Sequence, residues 1–321
     1  MRTLRARTRS RTSSAVGRAL LVAGALLVAM VALAACGGGA TPQPTATVTV
    51  TVTPSVTSSS AASPAVSASN SAGVSIFPKL TAVSIYLLRP IGGAQPLHGP
   101  FVAAAQRGVS PTKALAAAAM RALLAGPTKP EQAIGMTTAI PAGTTLHGVT
   151  IAGGVATVDL SSAFAAAGTK SAMTARLAEV VYTLTQFPSV EGVLFRLDDT
   201  QIASFGATGV DLTKPQTRAD YESVTPPIFV DAPASFATVS GTLRVSGTAD
   251  VFEATFRARV VAGSFHRTLT VTATSGSGTR GTFVFSVALP AGSASGKLTV
   301  WDASAENGAA LHTVTIPLAV K

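Results

Sequence analysis

I-P-A-G-T-T-L-H-G-V-T-I-A-G-G-V-A-T-V-D-L-S-S-A-F runs from Ile140 to Phe164, and its reading decides the fold of the first folded region. Gly153-Gly154 separates two β-rich runs, Leu146–Ile151 and Val155–Leu160. A two-residue glycine loop between such runs predicts a hairpin, because glycine takes φ > 0 without steric cost. The period then changes. Met173, Leu177, Val180, Leu184 and Phe187 recur at steps of four and three, predicting one apolar helical face that ends before Pro188. Val193, Phe195 and Leu197 alternate with Leu194, Arg196 and Asp198, as on a strand with one more polar face. Asp198-Asp199-Thr200 should then turn into a short strand at Gln201–Phe205.

Upstream, Leu80–Leu87 alternates as a strand, and a loop with Gly92-Gly93 follows. Phe101–Arg107 reads as either loop or strand. Ser110-Pro111 is a good helix start. Leu115, Ala118, Ala119 and Ala122 are its expected buried stripe, widened by Leu123 and Leu124, before Gly126-Pro127. The order is β-α-β-β-α-β, an α+β arrangement with helices on one face of a sheet. The segments A-L-L-A-G-P-T-K-P-E and T-A-I-P-A-G-T-T-L, with the hairpin, helix and strand above, resemble the GerMN domain of sporulation and germination lipoproteins. The resemblance spans about Leu80 to Tyr221.

Pro215 to Pro227 reads as a hinge, so the parts on either side are expected to fold separately. Beyond it come seven short β runs with Gly/Ser/Pro breaks. They are Ile228–Asp231, Thr242–Gly247, Ala254–Val261, Thr268–Ala273, Thr282–Leu289, Lys297–Asp302 and Leu311–Leu318, the pattern of an immunoglobulin-like sandwich. P-I-F-V-D-A-P, V-S-G-T-A-D-V-F-E-A-T-F-R-A-R-V and R-G-T-F-V-F-S-V resemble the Ig-like (Gmad-type) domain of bacterial spore germination proteins. Trp301, with no cysteine pair around it, is expected in the core.

The formal charge of +10 is concentrated at the start. Arg2, Arg5, Arg7, Arg9, Arg11 and Arg18 precede Cys36 with no acid among them. Without those six, 18 basic residues face 14 acidic ones, a balance of +4 that does not predict a nucleic-acid surface. The apolar run Ala19–Ala32 is shorter than the roughly 20 residues a membrane-spanning helix needs. Arginines, apolar run and small-residue junction form a secretory signal, and Leu33-Ala34-Ala35-Cys36 looks like a bacterial lipobox with a Gly37–Gly39 exit. The family resemblance implies that Cys36, the single cysteine, is diacylated and becomes the new N-terminus. Two acyl chains anchor where one is marginal, at about 0.8 kcal/mol per buried methylene. From Ala40 to about Ser75 the Thr/Val, Ser and Pro-rich sequence reads as a tether, which would extend roughly 3 Å per residue. The expected organisation is a lipoprotein signal peptide (1–35), a linker (36–78), a GerMN domain (79–221) and an Ig-like domain (222–321).

Catalytic motifs are missing from this sequence. His98, His147, His266 and His312 are widely spaced, outside any H-E-x-x-H pattern, and there is no G-x-S-x-G elbow. Asp198-Asp199 reads as a solvated turn, Asp159 as support for the approach to the following helix, and Arg257 with Arg259 as a solvated strand face or a binding patch. No catalytic residue, metal ligand or cofactor is expected; Cys36 is the one assigned site, for lipid attachment. The leading expectation is a membrane-anchored, non-enzymatic envelope lipoprotein. Its partners are the membrane through the lipid and an envelope protein or cell-wall component, with lateral self-association and no nucleic acid. GerMN domains resemble ring-building modules that assemble side by side. The alternative is a peptidoglycan-active enzyme or its accessory subunit, since GerMN domains also occur fused to amidases. A solute-binding lipoprotein fits less well, because that class pairs two α/β lobes.

Overall fold

The computed structural model describes residues 79–292 and 294–321. Cys36, the signal peptide and the linker lie outside them. The first region opens with a long antiparallel ribbon, β1 (Thr81–Ile91) and β2 (Leu97–Val109). The stretch read as loop or strand is therefore strand. Next come α1 (Leu115–Leu124), a short α2 (Lys129–Ala133), β3 (Leu146–Ala152) and β4 (Val155–Leu160). Then α3 (Lys170–Leu184), β5 (Gly192–Leu197) and β6 (Thr200–Gln201) complete it. The strands β3-β4-β5-β6 form their own four-stranded sheet, so the α+β class has two sheets where one was expected. β3 and β4 pair antiparallel around Gly153 (φ 55°) and Gly154 (φ 80°), the two positive-φ positions that the hairpin requires. β4 and β5 are parallel, with α3 as the crossover.

α1 starts four residues beyond Ser110-Pro111. Its N-cap is Ala114, with no side-chain hydrogen bond, and it buries Ala116, Ala119, Met120 and Leu123. α2 is set by a capping box between Thr128 and Glu131, a Thr-x-x-Glu signal that the glycine and prolines around it obscured. Glu131 also pairs with Arg107, whose guanidinium donates to the carbonyls of Ala122 and Gly126 at 3.1 and 2.9 Å. One arginine thus satisfies the otherwise orphaned carbonyls at the end of α1.

α3 is buried on nearly all sides rather than along one stripe. Between Met173 and Leu184 only Thr174 is not buried. Polar side chains on α3 and just past its end hold neighbouring backbone. Thr183 Oγ1 accepts from the Tyr86 amide (3.1 Å) and Gln186 Oε1 from the Ser84 amide (2.8 Å). Leu88 exchanges hydrogen bonds with Thr137 at 2.9 and 2.8 Å, so the open edge of β1 is covered rather than left as a template for pairing. Two turns earlier on the helix, Arg176 donates to the carbonyls of Ala139, Phe164 and Ala166 at 2.6–2.9 Å, over the rings of Phe164 and Phe205. Glu179 accepts from the Ala139 amide and the Thr138 hydroxyl, both at 2.7 Å. The Thr138–Ile140 segment is thereby tied to the helix by a buried acid and base.

The second region is a two-sheet sandwich, and all seven expected strands are present. They are β7 (Ile228–Ala232), β9 (Thr242–Ala249), β10 (Thr255–Ala262), β11 (Phe265–Thr272), β12 (Gly281–Ala288), β13 (Ala294–Ala303) and β14 (Ala310–Val320). A two-residue β8 (Thr238–Val239) adds a parallel edge to β14. The sheets run β12-β9-β7 and β11-β10-β13-β14-β8. Phe256, Phe283, Leu243, Val245, Leu298 and Val300 fill the space between them. Trp301 is not in that core. It is half-buried on the outer face, because Leu298 and Val300 already take the inward positions of β13.

Desolvation pushes the Glu179 pKa from 4.5 up to about 8, against the lowering effects of Thr138, the Ala139 amide and Arg176. A carboxyl that is harder to ionise when folded contributes most below its unfolded value, near pH 4.5, and that contribution is lost as pH rises towards 8. Urea denaturation across this range should show stability falling with pH, with a flatter profile for Glu179→Gln. An unchanged slope in the variant would contradict the assignment.

Candidate functional site

Three polar residues marked in the sequence converge at one end of the four-stranded sheet. A β-bulge between Leu146 and Gly148 leaves His147 beside Asp159 of β4, a common way to re-aim a strand side chain. His147 Nδ1 lies 3.8 Å from carboxylate oxygens of both Asp159 and Asp198, too far for hydrogen bonds. Asp198 (φ 46°) and Asp199 (φ 66°) form the two-residue turn between β5 and β6. Aspartate tolerates this left-handed region better than most residues. The carboxylates hold the backbone: Asp159 accepts from the Asp199 amide and Asp198 from the Ser162 amide, both at 3.2 Å. Arg196 Nε donates to the Asp199 carbonyl at 3.0 Å. The cluster therefore closes a turn and supports the approach to the 3-10 segment Ser162–Ala165. Among the described residues no group of three or more His, Cys, Asp or Glu is arranged to hold a metal ion. His98 and His266 are exposed elsewhere, and His312 pairs with Asp302 at 3.0 Å.

The larger polar construction was not read from the sequence. It lies where the α+β region meets the sandwich. Arg218 sits in the segment expected to be a hinge, but that segment is a packed strap. Gln216 exchanges backbone hydrogen bonds with Val193 at 2.8 and 2.9 Å, and Tyr221 is fully buried. The Arg218 guanidinium lies over the rings of Tyr86 and Tyr182, 5.1 and 4.8 Å from their centroids. It donates to Thr185 Oγ1 at 2.8 Å and pairs with Asp231 of β7 at 3.0 Å. The Tyr86 hydroxyl donates to the same carboxylate. Burial, with Asp231 next, pushes the Tyr86 phenol pKa up, so it remains a donor.

Strand periodicity explains why Asp231 reaches this joint. Ile228 and Val230 enter the sandwich core, whereas Phe229 and Asp231 point the other way. Phe229 packs against Tyr86 and Tyr182, at centroid distances of 6.2 and 5.3 Å. Two further seams flank it. Gly92 and Thr313 exchange backbone bonds at 2.8 and 3.1 Å, and Ser235 bonds to Ala104 and Gln106 at 2.9 Å. Gly93 (φ 110°) lies against β14, where a Cβ would meet the Ala310 carbonyl at 2.9 Å. Arg280 and Glu222 add an ion pair across the same junction.

An α+β module with two small sheets, joined along one strand to an immunoglobulin-like sandwich, is the class that the fold defines. A family model described as sporulation and spore germination matches residues 84–203, and one described as the immunoglobulin-like domain of bacterial spore germination matches residues 227–309. The chain is thus a germination-associated protein combining a GerMN domain with a Gmad-type Ig-like domain. Similar solved structures include a candidate lipoprotein from Clostridium perfringens, 20% identical over 46% of this chain and 93% of that one (TM-score 0.32). They also include the first GerMN domain of the sporulation protein GerM from Bacillus subtilis, 22% identical over 44% and 99% (TM-score 0.34). The tandem GerMN domains of that protein are 18% identical over 59% of each chain (TM-score 0.36). No curated protein matches the chain.

Phe229→Ala should destabilise the protein by about 3 kcal/mol or more, as for a buried aromatic, although Phe229 lies in the sandwich sequence. Asp231→Ala, which strips Arg218 and Tyr86 of a charged acceptor, should cost about 2 kcal/mol. Calorimetry should show the melting of the α+β region and of the sandwich moving down together in both variants. A loss confined to the sandwich would refute the shared joint.

Proposed function

We propose that the chain is a lipid-anchored extracytoplasmic protein whose folded part binds or assembles with envelope partners without catalysing a reaction. The observation that carries this reading is Leu33-Ala34-Ala35-Cys36, placed after an arginine-rich apolar signal and ahead of two germination-type domains. The tether between Cys36 and the first strand would hold the folded unit away from the bilayer. No helix among the described residues is long and apolar enough to cross a membrane.

The geometry favours presentation of surfaces over chemistry. The carboxylates of the strand-end cluster are engaged with backbone amides, and the buried acid–base pair of α3 serves the Thr138–Ile140 segment. For lateral contact between copies, the face carrying Arg196 and Asp198 is a weak candidate, since Arg196 closes the β5–β6 turn and Asp198 holds the Ser162 amide. β3 is better placed. It is an end strand of its sheet, with Ile151 exposed, and edge strands are natural sites for pairing with another chain.

Fractionation of cells tests the anchor. The chain should be found with the membrane, cleaved and acylated at Cys36, and Cys36→Ala should leave most of it unprocessed or released. A membrane-bound form whose N-terminus is intact by mass spectrometry would contradict the proposal.

A further inference from the structure

The outer face of the five-stranded sheet carries cations that the fold itself does not use. Phe256, Ala258 and Val260 of β10 are buried, so strand alternation sends Arg257 and Arg259 outward. The β10–β13 register sets Trp301 opposite Arg257, Thr299 opposite Arg259 and Lys297 opposite Val261. Arg257 is steadied by donating to Thr270 Oγ1 at 2.9 Å. Arg259, Lys297, Thr299 and Trp301 line a shallow depression of about 440 Å³. Among the described residues Arg257, Arg259 and Lys297 make no ion pair, whereas Arg107, Arg196, Lys214, Arg218 and Arg280 each do.

We propose that this face binds an acidic saccharide polymer, with a sugar ring against Trp301 and its carboxylate or phosphate groups on Arg259 and Lys297. The unpaired positive charge calls for an anionic partner, and its spread over two adjacent strands suits charges that repeat along a chain. An aromatic side chain beside threonine hydroxyls offers an apolar surface together with hydrogen-bonding groups, as a hydroxylated ring requires. A lipid surface fits less well. The site is concave, and among the described residues the large apolar side chains that stand exposed, Leu80, Ile151, Phe252 and Val284, are not on β10, β11, β13 or β14. This inference names the chemistry of a wall partner, and it rests on the reading above only for where such a polymer is met.

Trp301 is the single tryptophan of the chain, so its fluorescence reports this face alone. The detergent-solubilised full chain is titrated with polygalacturonate and with phosphorylated dextran. Neutral dextran, polyglutamate and phosphatidylglycerol-containing micelles are the comparisons. At least one acidic glycan should shift the Trp301 emission and bind on the order of tenfold tighter than polyglutamate or neutral dextran. Trp301→Ala, followed by sedimentation with that glycan, should weaken binding by about tenfold. Arg259→Glu with Lys297→Glu changes two exposed side chains, so the fold should be kept by circular dichroism while binding is lost. Equal binding of polyglutamate or the micelles, retention of binding in the folded charge-reversal variant, or no binding of either acidic glycan would overturn the proposal. None of these outcomes touches the fractionation result, so failure here is separable from failure of the anchor.

Discussion

β7 belongs to two cores at once, and the relation between the two regions depends on that. A β-strand sends successive side chains to opposite faces, so a five-residue strand between two hydrophobic clusters can serve both. Ile228 and Val230 are part of the sandwich core, and Phe229 is part of the α+β core. Asp231, on the Phe229 side, brings a carboxylate to Arg218 and Tyr86. The aromatic contact gives the joint its apolar area, and the charged group gives it direction. Residues 79–321 lie within one compact unit as a result.

The same logic governs the interior of the α+β region. α3 is surrounded, and a surrounded helix that carried only apolar side chains would leave nearby backbone groups without partners. Thr183, Gln186, Arg176 and Glu179 supply those partners to β1 and to the Thr138–Ile140 segment. No buried side-chain nitrogen or oxygen among the described residues is left unpaired. A helix that would otherwise be amphipathic thus becomes the centre of its domain.

Features with a local cause were legible in the sequence. The Gly153-Gly154 hairpin, the seven sandwich strands and the Asp198-Asp199 turn each depend on a few neighbouring residues and were found where expected, although the strand expected at Gln201–Phe205 is only Thr200–Gln201. What depends on distant partners was not legible. Arg176 and Glu179 look like a solvated helix face until the chain folds around them. Pro215–Pro227 has the composition of a hinge, yet Tyr221 is buried there and Arg218 is held between two tyrosine rings. Trp301 was expected inside, but the register gave the inward places to Leu298 and Val300. The same register puts the one tryptophan beside Arg257 and Arg259 on the open sheet face, where the saccharide site is proposed.

Native-state hydrogen exchange followed by mass spectrometry tests the shared-strand account most directly. If β7 joins both cores, its amides should exchange through the same opening that releases α3 and β9, so the three peptides share one opening free energy and one response to added urea. Separate openings, with β7 following β9 while α3 retains its own protection, would show that the two domains are neighbours without a common core.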